Sequence, residues 1–168
     1  MGRLAFMLLA VLATAGTAGA GSPGETPDGK YLDAIWQELV RLDIDAQCDS
    51  AQGKCTYTRT LARDRAPFTV VIRLSRATNT VYIYIDRFIP LPAGTAPSCS
   101  LSSRLLELNR EMVTARFEWD KTTSSIRLSS VQNTDSNFDR KAFRSQIVGL
   151  HDVAKRLGPT LWPKPQTD

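Results

Sequence analysis

Phe68-Thr-Val-Val-Ile-Arg-Leu-Ser75, the short connector Arg76-Ala-Thr-Asn79, and Thr80-Val-Tyr-Ile-Tyr-Ile-Asp86 form the stretch whose reading decides the fold. In the first run Phe68, Val70, Ile72 and Leu74 fall on one face. In the second, Val81, Ile83 and Ile85 take one face and Tyr82 and Tyr84 the other. Period-two alternation rich in β-branched residues is the mark of a strand with one buried face. A polar connector this short between two such runs predicts an antiparallel hairpin. Its aliphatic face has to be covered by apolar stripes from elsewhere in the chain.

Those stripes lie on both sides. Upstream, residues 54–62 (Lys-Cys-Thr-Tyr-Thr-Arg-Thr-Leu-Ala) alternate and predict a third strand, while residues 43–48 are weak and read as a connection into a polar loop. Before them Leu32, Ile35, Leu39 and Leu42 recur at spacings of 3, 4 and 3, with Trp36 and Val40 widening the stripe, which predicts an amphipathic helix. Downstream, Pro90, Pro92, Gly94 and Pro97 end the sheet run and mark a crossing loop over residues 87–98. Leu101, Leu105, Leu108 and Met112 predict a second helix, with Ser98 and Ser100 as candidate N-caps. Ala115, Phe117 and Trp119 alternate with Arg116, Glu118 and Asp120, and Ile126 and Leu128 follow in the same manner, which predicts a second hairpin. Ser136 and Asp139 then make a start resembling a capping box. Phe143, Ile147, Leu150, Ala154, Leu157 and Leu161 carry a third helix, with Gly158-Pro159 expected to end or bend it. The order helix, three strands, helix, two strands, helix predicts an α+β domain over residues 30–163: a five-stranded antiparallel sheet with helices on one face. Residues 21–29 read as a flexible leader and residues 164–168 as a tail.

The first twenty residues read differently. Arg3, an apolar run from Leu4 to Ala13, and small residues ending Ala18-Gly19-Ala20 are the parts of a cleavable secretory signal. The run is too short for ~30 Å of hydrocarbon, which needs about 20 apolar residues. Cleavage after Ala20 is expected, giving a periplasmic or secreted protein with no membrane span in the mature chain. The formal net charge of +4 falls by one with the loss of Arg3. So mild a charge is no nucleic-acid footprint, and none is expected as a partner.

Export implies an oxidising compartment, and the cysteines are read in that light. Cys48 and Cys55 flank a polar loop containing Gly53, and a disulfide is expected to close it. Cys99 is left over, as a free thiol, an intermolecular bridge or a buried thiol. Other constellations carry little chemistry. His151 is the single histidine and has no nucleophile motif, so it reads as structural. Asp43-Ile-Asp45-Ala-Gln47-Cys-Asp49 fails the calcium-loop template, with Cys48 where Gly belongs and Lys54 where Glu belongs. No C-x-x-C pair exists, and neither metal nor cofactor is expected. Arg59, Arg63, Arg65, Arg73 and Arg76 give the first sheet region a basic cast that reads as solubilising edge charge. Tyr57, Tyr82 and Tyr84 are the candidate partner or dimer surface, with packing beneath the leader or the proline loop as the competing reading.

Leu105-Leu-Glu-Leu-Asn109, Ala115-Arg-Phe-Glu-Trp-Asp120, Ile126-Arg-Leu128 and the helix from Phe138 to Trp162 resemble the YbjN-like family of small bacterial domains and the type III secretion chaperone fold. The resemblance spans residues 30–162 in element order and is specific over 101–162. It implies a non-enzymatic protein, homodimeric, binding a polypeptide partner, with a sensory or regulatory role attached to the YbjN-like members. The signal and the expected disulfide depart from that cytoplasmic pattern. The sequence therefore points to an exported protein-binding or chaperone-like module. An envelope small-ligand sensor and a thiol-redox protein using Cys99 are the alternatives.

Overall fold

The computed structural model describes residues 27–60, 67–75, 78–134 and 137–162. The elements are α1 (Pro27–Arg41), β1 (Gln47–Asp49), β2 (Lys54–Arg59), β3 (Phe68–Ser75), β4 (Thr80–Pro90), α2 (Cys99–Glu111), β5 (Arg116–Asp120), β6 (Ser125–Asn133) and α3 (Arg140–Leu161). All strands join one antiparallel sheet in the order β1-β2-β3-β4-β6-β5. The sheet thus has six strands rather than five. The weak segment before the cysteine loop contributes β1, whose three residues are all exposed. No apolar alternation signals such a strand, because it buries nothing.

Period-two alternation sorts the sheet into two faces. Cys55, Tyr57, Val70, Ile72, Val81, Ile83, Ile85, Phe117, Ile126 and Leu128 form one core with Leu32, Ile35 and Leu39 of α1, Leu105 and Leu108 of α2, and Phe143, Ile147, Leu150 and Ala154 of α3. The helices therefore lie on the aliphatic face, as the alternation requires. Trp36 and Val40 do not belong to that stripe: they are exposed on the flank of α1, while Glu38 is fully buried.

Two boundaries differ from the sequence reading. β4 runs to Pro90 rather than stopping at Asp86, because a bulge lets it use the residues from Ile85 to Ile89 against Leu128 to Ile126 of β6. Arg87 takes a positive φ of 48° there, and Phe88 and Ile89 both turn inward. Asp139, not Ser136, caps α3 by accepting from the Ala142 amide at 2.9 Å, and Ser136 lies outside the described residues.

Gly158-Pro159 does not end α3, which continues to Leu161. A residue before proline is crowded by the pyrrolidine ring through its own Cβ. Gly158 has none, and the space is taken by the Trp162 indole, which stacks on Phe68 at 5.0 Å and packs against Phe88 at 5.6 Å. A Cβ at Gly158 would fall 2.2 Å from Trp162 Cζ2. Gly158→Ala is therefore expected to dislodge the indole and cost about 1–3 kcal/mol, the usual range for overpacking. A lowered urea midpoint together with a shifted tryptophan emission checks this. An unchanged spectrum would mean that the ring is not seated there.

Candidate functional site

The tyrosines expected to form one surface are divided by strand parity. Tyr57 is in register with Val70 and Ile85 on the core face and is only 5% exposed. It packs in the core rather than on the face that Tyr82 and Tyr84 share. Its hydroxyl meets His151 Nε2 of α3 at 2.9 Å, with the rings edge-on at 5.9 Å. Burial raises the Tyr57 phenol far above its ordinary range. Burial, helped by the Arg59 charge and opposed by Asp152, lowers His151 to about 4. The imidazole is therefore neutral at ordinary pH.

That pair makes a pH prediction. The unfolded His151 titrates near 6.5 and the folded one near 4. Between these values the unfolded chain binds the extra proton, so stability is full above pH 6.5 and falls as pH drops toward 4. The loss from pH 7 to pH 5 is expected to be about 2 kcal/mol. His151 is the only histidine, so no other imidazole contributes in this window. Urea midpoints at the two pH values check it, and His151→Phe should remove most of the difference.

Tyr82 and Tyr84 do occupy the face opposite the helices, with ring centroids 4.9 Å apart. They are not bare. The Tyr82 hydroxyl donates to Glu118 Oε2, and the Arg127 guanidinium lies 4.6 Å above the Tyr84 ring, which is 7% exposed. Arg127 also pairs with Asp120 at 2.5 Å and with Asp86 at 3.3 Å, and Arg116 lies 3.7 Å from Glu118. Burial and the bond to Glu118 push Tyr82 up to about 12. Hydrogen bonds from Thr122 and Thr123, with the Arg127 charge, hold Asp120 down to about 2 against its desolvation. This face is a cross-strand charge lattice laid over two aromatics, which alternation alone does not foretell.

Exposed apolar side chains lie on the flank of α1, at Trp36 and Val40, and at the α2–β5 end. Leu106 is 69% exposed, Val113 97% and Trp119 47%. β5 is an edge strand, and Asn109 closes part of that edge: its amide donates to the Phe117 carbonyl at 3.0 Å and accepts from the Phe117 amide at 2.6 Å. Leu106 lies one turn before Asn109 on α2, and Trp119 two residues beyond Phe117 on β5, so both lie toward the same end of this unit. Two grooves flank the 112–115 connection. One, of about 540 Å³, has Arg104, Leu108, Val153 and Arg156 in its walls, and the other, of about 500 Å³, has Asn109, Arg116, Val131 and Gln146. The leucine spacing of α2 marks its buried face and leaves Leu106 off that stripe.

The remaining candidates fall as follows. Cys48 and Cys55 are directly opposite on β1 and β2 and form a disulfide. Cys99 opens α2 as an exposed free cysteine, so the buried-thiol reading is dropped. Arg104, further along α2, pairs with Glu107 at 3.3 Å. Arg59 and Arg73 lie on β2 and β3, while Arg63, Arg65 and Arg76 lie outside the described residues. Among the described residues no group of three or more His, Cys, Asp or Glu side chains is placed to hold a metal, and no helix is long and apolar enough to cross a membrane.

No protein-family model matches the sequence, and no curated protein is significantly similar to it. Solved structures are similar in fold. The ExsC–ExsE complex contains a chain matched with a TM-score of 0.61 at 14% identity, over 84% of this chain and 98% of that one. The HopA1–SchA chaperone–effector complex gives 0.54 at 12%, over 79% and 95%. YbjN of E. coli, described as a putative transcription regulator, gives 0.56 at 15%, over 77% and 92%. Identities this low speak to architecture alone, and with the helix-covered antiparallel sheet they give this chain the YbjN-like, type III secretion chaperone-like fold.

Proposed function

We propose that this protein is an exported, non-enzymatic, polypeptide-binding module of chaperone-like type, working as a homodimer. The observation that carries the reading is the shared architecture with chains in two protein–protein complexes, one of them a chaperone–effector complex. The α2–β5 end supports it: Leu106, Val113 and Trp119 present apolar surface where a monomer gains nothing by exposing it. The non-enzymatic reading is supported by the neighbours, a chaperone–effector complex among them, while His151 is engaged with Tyr57 inside the core. Export is supported by the signal-like residues 1–20 and by the Cys48–Cys55 disulfide, which suits an oxidising compartment.

Light scattering on the purified protein tests the dimer, and cell fractionation tests export. A dimeric mass is expected. A strict monomer that also retains no polypeptide would remove the basis of the reading.

A further inference from the structure

The seam between α1 and α3 holds a charge arrangement that polypeptide binding does not call on. The Glu38 side chain is fully buried, and three guanidiniums converge on it. Arg41 Nη1 donates to Oε1 at 2.7 Å, Arg140 Nη1 donates to the same oxygen at 3.0 Å, and Arg144 Nη1 donates to Oε2. Arg140 Nη1 also lies 2.9 Å from Gln37 Oε1. A lone buried carboxylate has to be paired, and one guanidinium in a two-pronged grip would suffice. Here one negative charge faces three positive ones, a surplus of two.

Among the described residues no carboxylate other than Glu38 pairs with these guanidiniums. Asp139 keeps its charge but forms no ion pair with the three arginines; its Oδ1 accepts from the Ala142 amide and so offsets the positive end of α3. Asp33 sits five positions before Glu38 on α1, about 140° around the helix. Arg140 is the first residue of the 22-residue α3. The contacts to Glu38 use only Nη1 of each arginine, and the side chains are 60%, 41% and 35% exposed for Arg41, Arg140 and Arg144. The core carboxylate holds the arms from below while the side chains stay partly open to solvent.

We propose that Arg41, Arg140 and Arg144 form an oxyanion site for a phosphate group, with the guanidinium N–H groups donating to its oxygens from the solvent side. A phosphate monoester or inorganic phosphate carries about −1.5 to −2 near pH 7, which matches the surplus, and offers several acceptor oxygens to planar donors. A single carboxylate supplies half that charge. The phosphate can come free in solution or on a lipid headgroup, and the test separates the two.

The protein, purified from cells expressing the full chain, is titrated with inorganic phosphate at constant ionic strength by calorimetry and thermal unfolding. In parallel it is floated with vesicles of phosphatidic acid in phosphatidylcholine. Phosphate is expected to bind and to raise the melting temperature, with affinity about tenfold weaker in Arg140→Gln and in the more exposed Arg41→Gln, the loss of one charged hydrogen bond. Glu38→Gln gives the opposite sign: it should bind phosphate more tightly and regain with phosphate much of the melting temperature that it loses. A purely structural ion pair predicts no such rescue. Vesicle binding without a response to inorganic phosphate would assign the headgroup source. No response to either probe, an equal response in the arginine variants, or equal binding of a poly-glutamate peptide would overturn the proposal.

Discussion

Leu150→Asp is expected to abolish the cooperative unfolding transition. Leu150 is 1% exposed and packs in the core beside Phe143, Ile147 and Ala154 of α3. Truncating such a side chain to Ala costs about 2–5 kcal/mol through lost burial and the cavity left behind. Aspartate adds an ionised carboxylate in an apolar site, which costs several kcal/mol more unless a partner is found. Among the described residues the buried polar side chains are Glu38, His151 and uncharged Ser, Thr and Gln, none of them a cation at ordinary pH. The combined loss reaches the whole stability of an ordinary domain, about 5–15 kcal/mol. Leu150→Ala should therefore fold with a lowered midpoint, and Leu150→Asp should not fold at all. Val148, two residues away and 47% exposed, provides the control: Val148→Asp should stay within about 0.5 kcal/mol of the parent. Circular dichroism melts of the three variants check this. A normal melt for Leu150→Asp would mean that the buried face of α3 is misplaced.

The second large effect is expected at Glu38. Replacing both Arg140 and Arg144 by Gln leaves its buried carboxylate with Arg41 alone, a guanidinium that is 60% exposed. Removing the partners of a buried charge typically costs about 3–5 kcal/mol. The pH dependence identifies the cause. In the parent, desolvation would raise the Glu38 pKa, but the hydrogen bonds from Arg144 and Arg140 and the charges of Arg144 and Arg41 hold it below 4.5. A depressed carboxylate stabilises the fold above its unfolded pKa, and that contribution is lost as pH falls through the folded value. In the double variant desolvation prevails and the sign reverses: the carboxyl is easier to protonate folded than unfolded, so acidification relieves it. The gap between parent and variant should narrow steadily as pH is lowered toward 4. Denaturant midpoints at several pH values measure it, and a gap independent of pH would assign the loss to packing.

The parts of the fold that bury apolar area were legible in the sequence. Val81, Ile83 and Ile85 are all fully buried, and the 4-and-3 spacing of Phe143, Ile147, Leu150 and Ala154 lies on the core face of α3. The parts that bury nothing, or bury charge, were not. β1 is exposed throughout, and Trp36 and Val40 match a helical stripe yet face out because Glu38 takes the inner flank of α1 toward α3. Hydropathy patterning cannot place a buried ion pair whose partners are 102 and 106 residues away. Arg41, three residues along α1, was the one local hint.

The candidate site was legible only in outline. Residue type alone groups Tyr57 with Tyr82 and Tyr84, but its spacing of two from Cys55 puts it on the cysteine's face. Asn109 was visible only as the end of a leucine-rich helix. Its bridge to Phe117 depends on α2 doubling back along β5, a long-range arrangement that no local pattern encodes. The same hairpin-like return leaves Leu106, Val113 and Trp119 outside the core.

The most direct test of the polypeptide-binding account is an affinity capture. Purified protein is immobilised, exposed to envelope and culture-supernatant extracts, and the retained polypeptides are identified by mass spectrometry. The Leu106→Asp/Trp119→Asp variant is run beside it. The account predicts one dominant polypeptide on the parent and its loss from the variant. An empty capture, or the same polypeptide retained equally by both, would contradict it.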